Sequence, residues 1–172
     1  MDVMTAIKRR RSIRSFTDEP VDKETLIKLL EAAVWAPSGG NGQTWRFVVV
    51  TEKSMMKKIK MVSPGLLGDP PALIVIAQDM EAARHKGGKM GPESITKMDS
   101  AMAAQNILLA AYEMGLGTCV IASFHPGAVA KLLGMPEHIL PHLLVSIGHP
   151  AKIPPPPERR FNGIYWFEAY NG

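Results

Sequence analysis

Lys8-Arg9-Arg10-Arg11-Ser12-Ile13-Arg14-Ser15-Phe16 closes a short amphipathic segment and opens an extended one. Side chains alternate sides in an extended chain, so Arg10, Ser12 and Arg14 share one face while Arg11, Ile13 and Ser15 share the other. The first face is cationic and hydrogen-bonding. It suits a phosphate or an electron-rich ring, because guanidinium forks match paired oxygens and stay charged at any working pH. Solvated cations at the C-terminal end of a helix dipole are the competing meaning, and for the stretch taken alone the commoner one.

Outward from this run, Asp2 is positioned to cap a first helix with Val3, Met4 and Ile7 on one side, and Asp22 a stronger one with Leu26, Leu29, Leu30, Ala33 and Val34 on one face. Pro37 ends that helix. Residues 38–43, Ser-Gly-Gly-Asn-Gly-Gln, form a loop that offers bare backbone amides and two side-chain amides. Residues 45–51 read as a strand, with Phe47 to Val50 buried, and residues 54–61 as a short helix that Ser54 would cap. Residues 72–77 are apolar throughout and so read as a strand covered on both faces. Residues 81–94 are polar and rich in glycine, the best candidate for a mobile flap. Asp99 is expected to cap the longest helix, 100–114, apolar nearly all round and therefore central or interfacial. Residues 117–123 and 142–148 complete the strands, with a helix from Pro126 to Leu133 between them.

The end of the chain is different in kind. Pro154 to Pro157 form a stiff spacer, and beyond it Phe161, Tyr165, Trp166, Phe167 and Tyr170 carry too much aromatic surface for an isolated arm in water. Residues 154–172 are therefore expected to pack on a second copy of the chain, as an arm of the single domain formed by residues 1–153.

Composition bounds the chemistry. The chain has 172 residues, 46% hydrophobic and 21% charged, as one globular domain requires. A net charge of +4 admits nucleic acid, but equally a phosphorylated cofactor. Cys119 is the single cysteine, which rules out an internal disulfide and a cysteine-based structural zinc site and points to a cytoplasmic setting. No apolar run approaches membrane-spanning length, and no membrane partner is expected. His138 and His142 are spaced four apart, but Pro141 lies between them and no third ligand is near, so no metal is expected. Serine-hydrolase elbows, phosphate-loop signatures and dinucleotide fingerprints are absent, and Cys119 sits among apolar neighbours. With no side-chain nucleophile in view, any catalysis would come from a bound cofactor.

The order of the pieces carries more than any one of them. Arg10-Arg11-Ser12-Ile13-Arg14-Ser15-Phe16, then Ala33 to Trp45 with Pro37-Ser38-Gly39-Gly40-Asn41-Gly42-Gln43, then Gly115-Leu116-Gly117-Thr118 and Gly148-His149-Pro150 resemble the nitroreductase family of flavin enzymes. The resemblance covers almost the whole chain. It implies an α+β three-layer fold, with a central, mostly antiparallel mixed sheet flanked by helices and a C-terminal arm exchanged with the partner. It also implies a homodimer with FMN at the subunit interface. NADH or NADPH would deliver hydride to flavin N5, and a small-molecule acceptor such as a nitroaromatic or quinone would be reduced in a ping-pong cycle, with no nucleic acid involved.

Carried over by position, Arg10, Arg11 and Ser12 would serve the FMN phosphate and ribityl chain, and Arg14 the N1 and C2 carbonyl edge of the ring. Pro37, Ser38, Gly39, Asn41 and Gln43 would wall the flavin from the other subunit. Ile121, Ala122 and Ser123 would lie beside N5, and Arg159 or Arg160 would return to the phosphate. The catalytic positions would be Arg14, Ala122 and Ser123. Thr44 stands where the family usually has proline, which is expected to loosen that turn, and Ala122-Ser123 where many members have Glu-Gly. Two other readings remain open: a flavin carrier or sensor without efficient turnover, and a basic protein that grips nucleic-acid phosphates.

Overall fold

The computed structural model describes residues 2–170; Met1 and the last two residues of the expected arm, Asn171 and Gly172, lie outside it. Local chemistry sets the first helices. Asp2 accepts a hydrogen bond from the Thr5 amide at 2.9 Å to start α1 (Val3–Arg9), and Asp22 repeats the device with Thr25 at 2.8 Å to start α2 (Lys23–Val34). Helix α3 (Lys53–Met61) departs from expectation. Its cap is Glu52, whose longer carboxylate accepts from the amides of both Ser54 and Met55, while the Ser54 hydroxyl donates to the same group.

Four strands, β1 (Trp45–Val50), β2 (Ala72–Asp79), β3 (Gly117–Ile121) and β4 (Ile139–Gly148), form one sheet in the order β1-β2-β4-β3, with every pair antiparallel. A parallel bridge between Ser12 and Thr118 gives the sheet its mixed edge. β2 lies inside and divides its apolar side chains between two cores. Ala72, Ile74 and Ile76 join Leu29, Ile107 and Val145 on one face, and Leu73 and Val75 join Ile59, Val129 and Leu144 on the other. This explains a strand that is apolar without alternation: both faces are covered, in three layers. β1 is an edge strand, so Phe47, Val48 and Val49 are half-buried rather than buried.

Residues 81–94 are not irregular. Helix α4 (Met80–Gly87) is followed by a turn at Gly88 (φ 56°), a wide π-type turn (Gly91–Ile95) and then α5 (Thr96–Glu113), with α6 (Pro126–Leu132) between β3 and β4. The glycines that read as breakers permit the packing. A Cβ on Gly91 would lie 2.1 Å from the Ala83 carbonyl oxygen, so only glycine lets the chain fold back on α4. Helix α5 is central as expected, with Ala103, Ala104, Ile107 and Ala111 buried, but Asp99 lies inside it instead of capping it.

β4 begins three residues before the expected start and passes through Pro141. The register shifts there, from Ile76 opposite Leu143 to Ala77 opposite Pro141, so the proline needs no ladder donor and His142 occupies a bulge. The Ser100 hydroxyl donates to the Thr96 carbonyl at 2.8 Å, which leaves its oxygen to accept from His142 Nδ1 at 3.2 Å. Burial holds the His142 pKa below its ordinary value of 6.5, with Lys97 adding repulsion against a favourable Thr96 backbone contact. The unfolded chain therefore takes up this proton first, and the stability contributed by neutral His142 is complete above pH 6.5 and lost as pH falls towards the folded-state pKa. Denaturant midpoints should drop between pH 7.5 and 5.5, and drop less in His142→Asn; identical pH profiles would exclude this source. Among the described residues no helix is long and apolar enough to cross a membrane.

Candidate functional site

The arginine segment is attached to the sheet by its apolar members. Ile13 is buried, and its amide donates to the Thr118 carbonyl at 2.8 Å. Gly117 makes room, since a Cβ there would stand 2.7–2.8 Å from three Ile13 side-chain atoms. Across the ladder from it, Gly148 leaves space in the same way for Pro71 and Phe16. With Ile13 and Phe16 held inward, Arg14 remains exposed and Arg10, Arg11 and Ser12 are half-buried.

The cations are not equivalent. Arg11 Nη1 donates to the carbonyls of Lys8 and Arg10 at 2.7 and 2.8 Å, closing the end of α1. Arg10 is pushed below its ordinary pKa, first by burial and then by the charges of Arg159 and Arg11. The tail therefore brings Arg159 into the field of Arg10. A cleft of about 440 Å³ opens beside this cluster, between Arg9, Arg10, Arg11, Tyr112, Gly117 and Thr118; Arg14, Ala122 and Ser123 are not among its walls.

A loop that sequence reading passed over ties Arg14 to the end of β3. Gly68 (φ 73°) packs so closely on the Arg14 carbonyl that a Cβ would meet its oxygen at 2.3 Å, and the Gly65 amide donates to the Ser123 carbonyl at 2.9 Å. Lys60 pins the loop through the Gly68 carbonyl at 2.8 Å and Asp69 at 2.7 Å. The available signal was two glycines three residues apart after a Ser-Pro break. Ile121 is buried in the second core, so it offers only backbone, whereas Ala122 and Ser123 are exposed beyond the strand.

Residues 37–43 lie elsewhere. They lead into β1, the edge opposite β3, so one chain does not unite them with the arginine segment. The loop is tightly built. Gly40, Asn41 and Gln43 all have positive φ, at 55°, 52° and 50°; the Gln43 amide donates to Ser38 Oγ at 3.1 Å and its side chain to Asn41 Oδ1 at 2.9 Å. Thr44 does not loosen the turn: its hydroxyl donates to buried Gln78 at 2.7 Å, and Gln78 in turn donates to Ser100 at 2.9 Å. Two residues from outside the motif also hold the loop, Asp99 on the Gly39 amide and Lys86 on the Gly42 carbonyl.

This arrangement has counterparts. The model of the nitroreductase family matches residues 7–64 and 58–149. The chain is 35% identical over 161 residues to a protein of Methanothermobacter thermautotrophicus, covering 90% of this chain and 80% of that one. It is 33% identical to the FMN reductase [NAD(P)H] of Bacillus subtilis, over 87% of this chain and 66% of the other. A nitroreductase family protein from Clostridium difficile 630 superposes with a TM-score of 0.85 at 27% identity, over 99% and 100% of the two chains. The chain belongs to the nitroreductase family, and its α+β fold is the one that family shares.

Proposed function

We propose that the protein is an NAD(P)H-dependent flavin oxidoreductase that works as a homodimer, taking reducing equivalents from NADH or NADPH and passing them to nitroaromatic, quinone or related acceptors in a ping-pong cycle. FMN is the cofactor, and when bound it supplies the two-electron chemistry that no side chain here can. The observation that carries this reading is the division of the site. The cationic segment lies at the β3 edge and the glycine-rich loop at the β1 edge, so two copies are needed to close one cleft.

The residues fit the cofactor. Burial first, and then the charges of Arg159 and Arg11, push the Arg10 pKa down, and a phosphate there would give the half-buried cations a shared counter-charge. Arg10 and Ser12 hold the phosphate and ribityl chain, joined by Arg159 and by the Arg11 nitrogens not engaged with α1. Arg14 supplies a cation to the N1 and C2 carbonyl edge, where reduction accumulates negative charge. Ala122 and Ser123, past the end of β3, offer backbone amides to N5. Pro37, Ser38, Gly39, Asn41 and Gln43 of the partner subunit wall the other side.

The visible spectrum of the purified protein tests this. A flavin spectrum bleached by NAD(P)H without oxygen is the expected result. Bound flavin that NAD(P)H cannot reduce would point to a carrier or sensor, and failure to take up FMN would remove both readings.

A further inference from the structure

We infer that Asp99 and Lys86 are positioning residues that hold residues 38–43 in the shape that walls the flavin; the inference rests on the flavin reading above. Neither residue belongs to the motifs that define the site. Asp99 is almost fully buried on α5 and accepts from the Gly39 amide at 3.0 Å, sixty residues away in the chain. Lys86, exposed at the end of α4, donates to the Gly42 carbonyl at 2.9 Å. A carboxylate thus grips the first amide of the tight turn and an ammonium its last carbonyl. Each charge meets the backbone dipole of the opposite sign, in charge-assisted hydrogen bonds stronger than neutral ones.

The loop needs this. Asn41 and Gln43 are held in the left-handed region, which is strained for a residue with a side chain, more for glutamine than for asparagine. Such a conformation persists only where its surroundings over-determine it, and it concentrates at functional sites. Contact from the other side is equally specific. A Cβ on Gly39 would lie 2.3 Å from Ile95 Cγ2, in the wide turn that joins α4 to α5. The segment from α4 to α5 is therefore the bed on which the loop is set. It packs directly on the loop.

The test measures FMN affinity by fluorescence titration, the midpoint potential of the bound flavin, and protease cleavage within residues 38–43 of the flavin-free protein. Asp99→Ala should weaken FMN about ten-fold, the equivalent of one lost hydrogen bond to a charged group, and shift the potential of the flavin that still binds. Asp99→Asn should stay within about three-fold, because its amide oxygen can still accept from Gly39. Lys86→Met, a surface change that keeps the aliphatic stem, should weaken FMN about three-fold. Cleavage should rise in Asp99→Ala and Lys86→Met and not in Asp99→Asn. Wild-type affinity, potential and cleavage in both Asp99→Ala and Lys86→Met would overturn the inference, as would equal losses in Asp99→Ala and Asp99→Asn. If Asp99→Ala does not fold, Lys86→Met decides alone, and its failure to change either affinity or cleavage overturns the assignment. A wild-type protein that takes up no FMN would remove the flavin reading, while the cleavage pattern would still report whether the two residues hold the loop.

Discussion

Arg10→Ala should lower FMN affinity by about 100-fold, while Arg14→Ala leaves affinity within about five-fold of wild type and makes the flavin midpoint potential more negative by about 30 mV or more. The two substitutions remove the same charge from positions with different surroundings. Arg10 is half-buried beside Arg159 and Arg11, where its charge is already penalised by desolvation and repulsion. A phosphate there gains a partly desolvated, charge-assisted partner, and losing one such partner costs about 2–3 kcal/mol. Arg14 is exposed, and its backbone is held by Gly68 independently of its side chain. Its removal should therefore leave the segment in place and withdraw only the positive charge that favours the reduced state. Titration of each variant with FMN, together with equilibrium redox titration, separates the roles. Equal loss of FMN from both would abolish the distinction.

Removing residues 154–172 should convert the proposed dimer into an aggregation-prone monomer and abolish FMN retention. Phe161, Phe167 and Tyr170 are 70–78% exposed in the single chain, and the tail rings meet one another at tilted or edge-on angles, with Trp166 and Tyr170 centred 4.3 Å apart. At 37–78% exposure, five aromatic side chains of about 150–250 Å² each leave roughly 600 Å² of ring surface per arm, at the top of what a monomer leaves in water and close to the ~800 Å² that each partner contributes to a stable interface. Val3, Met4 and Ile7 on α1 and Trp35 after α2 are exposed in the same way. Truncation also removes Arg159 from the cation cluster, so the dimer contact and the cofactor should be lost together. Sedimentation and absorbance of the truncated protein provide the check. A stable, soluble monomer would show that the arm does not hold the dimer.

Much of this molecule was readable along the chain because the signals are local. Asp2 and Asp22 cap helices through amides three residues away, and six consecutive apolar residues, 72–77, declare a strand covered on both faces. The arginine segment and the residues 37–43 loop were ambiguous one at a time and became recognisable only through their order along the chain. Where reading failed, an alternative lay within reach of the same side chain. Glu52 takes the amides of Ser54 and Met55 and so starts the helix before Ser54 can cap it, and Gly88 and Gly91, which read as loop, allow a turn and a close approach to α4.

Periodicity, capping and turn chemistry act over a few residues, so the sequence by itself determined the elements, their order and the chemical character of the two site segments. Only the tertiary structure decided that those segments lie on opposite edges of the sheet, that Arg159 reaches the field of Arg10, and that Asp99 serves Gly39 instead of its own helix. Those facts depend on which faces bury against which. A carboxylate chooses between a nearby amide and one sixty residues away only after the core has brought the second within 3.0 Å.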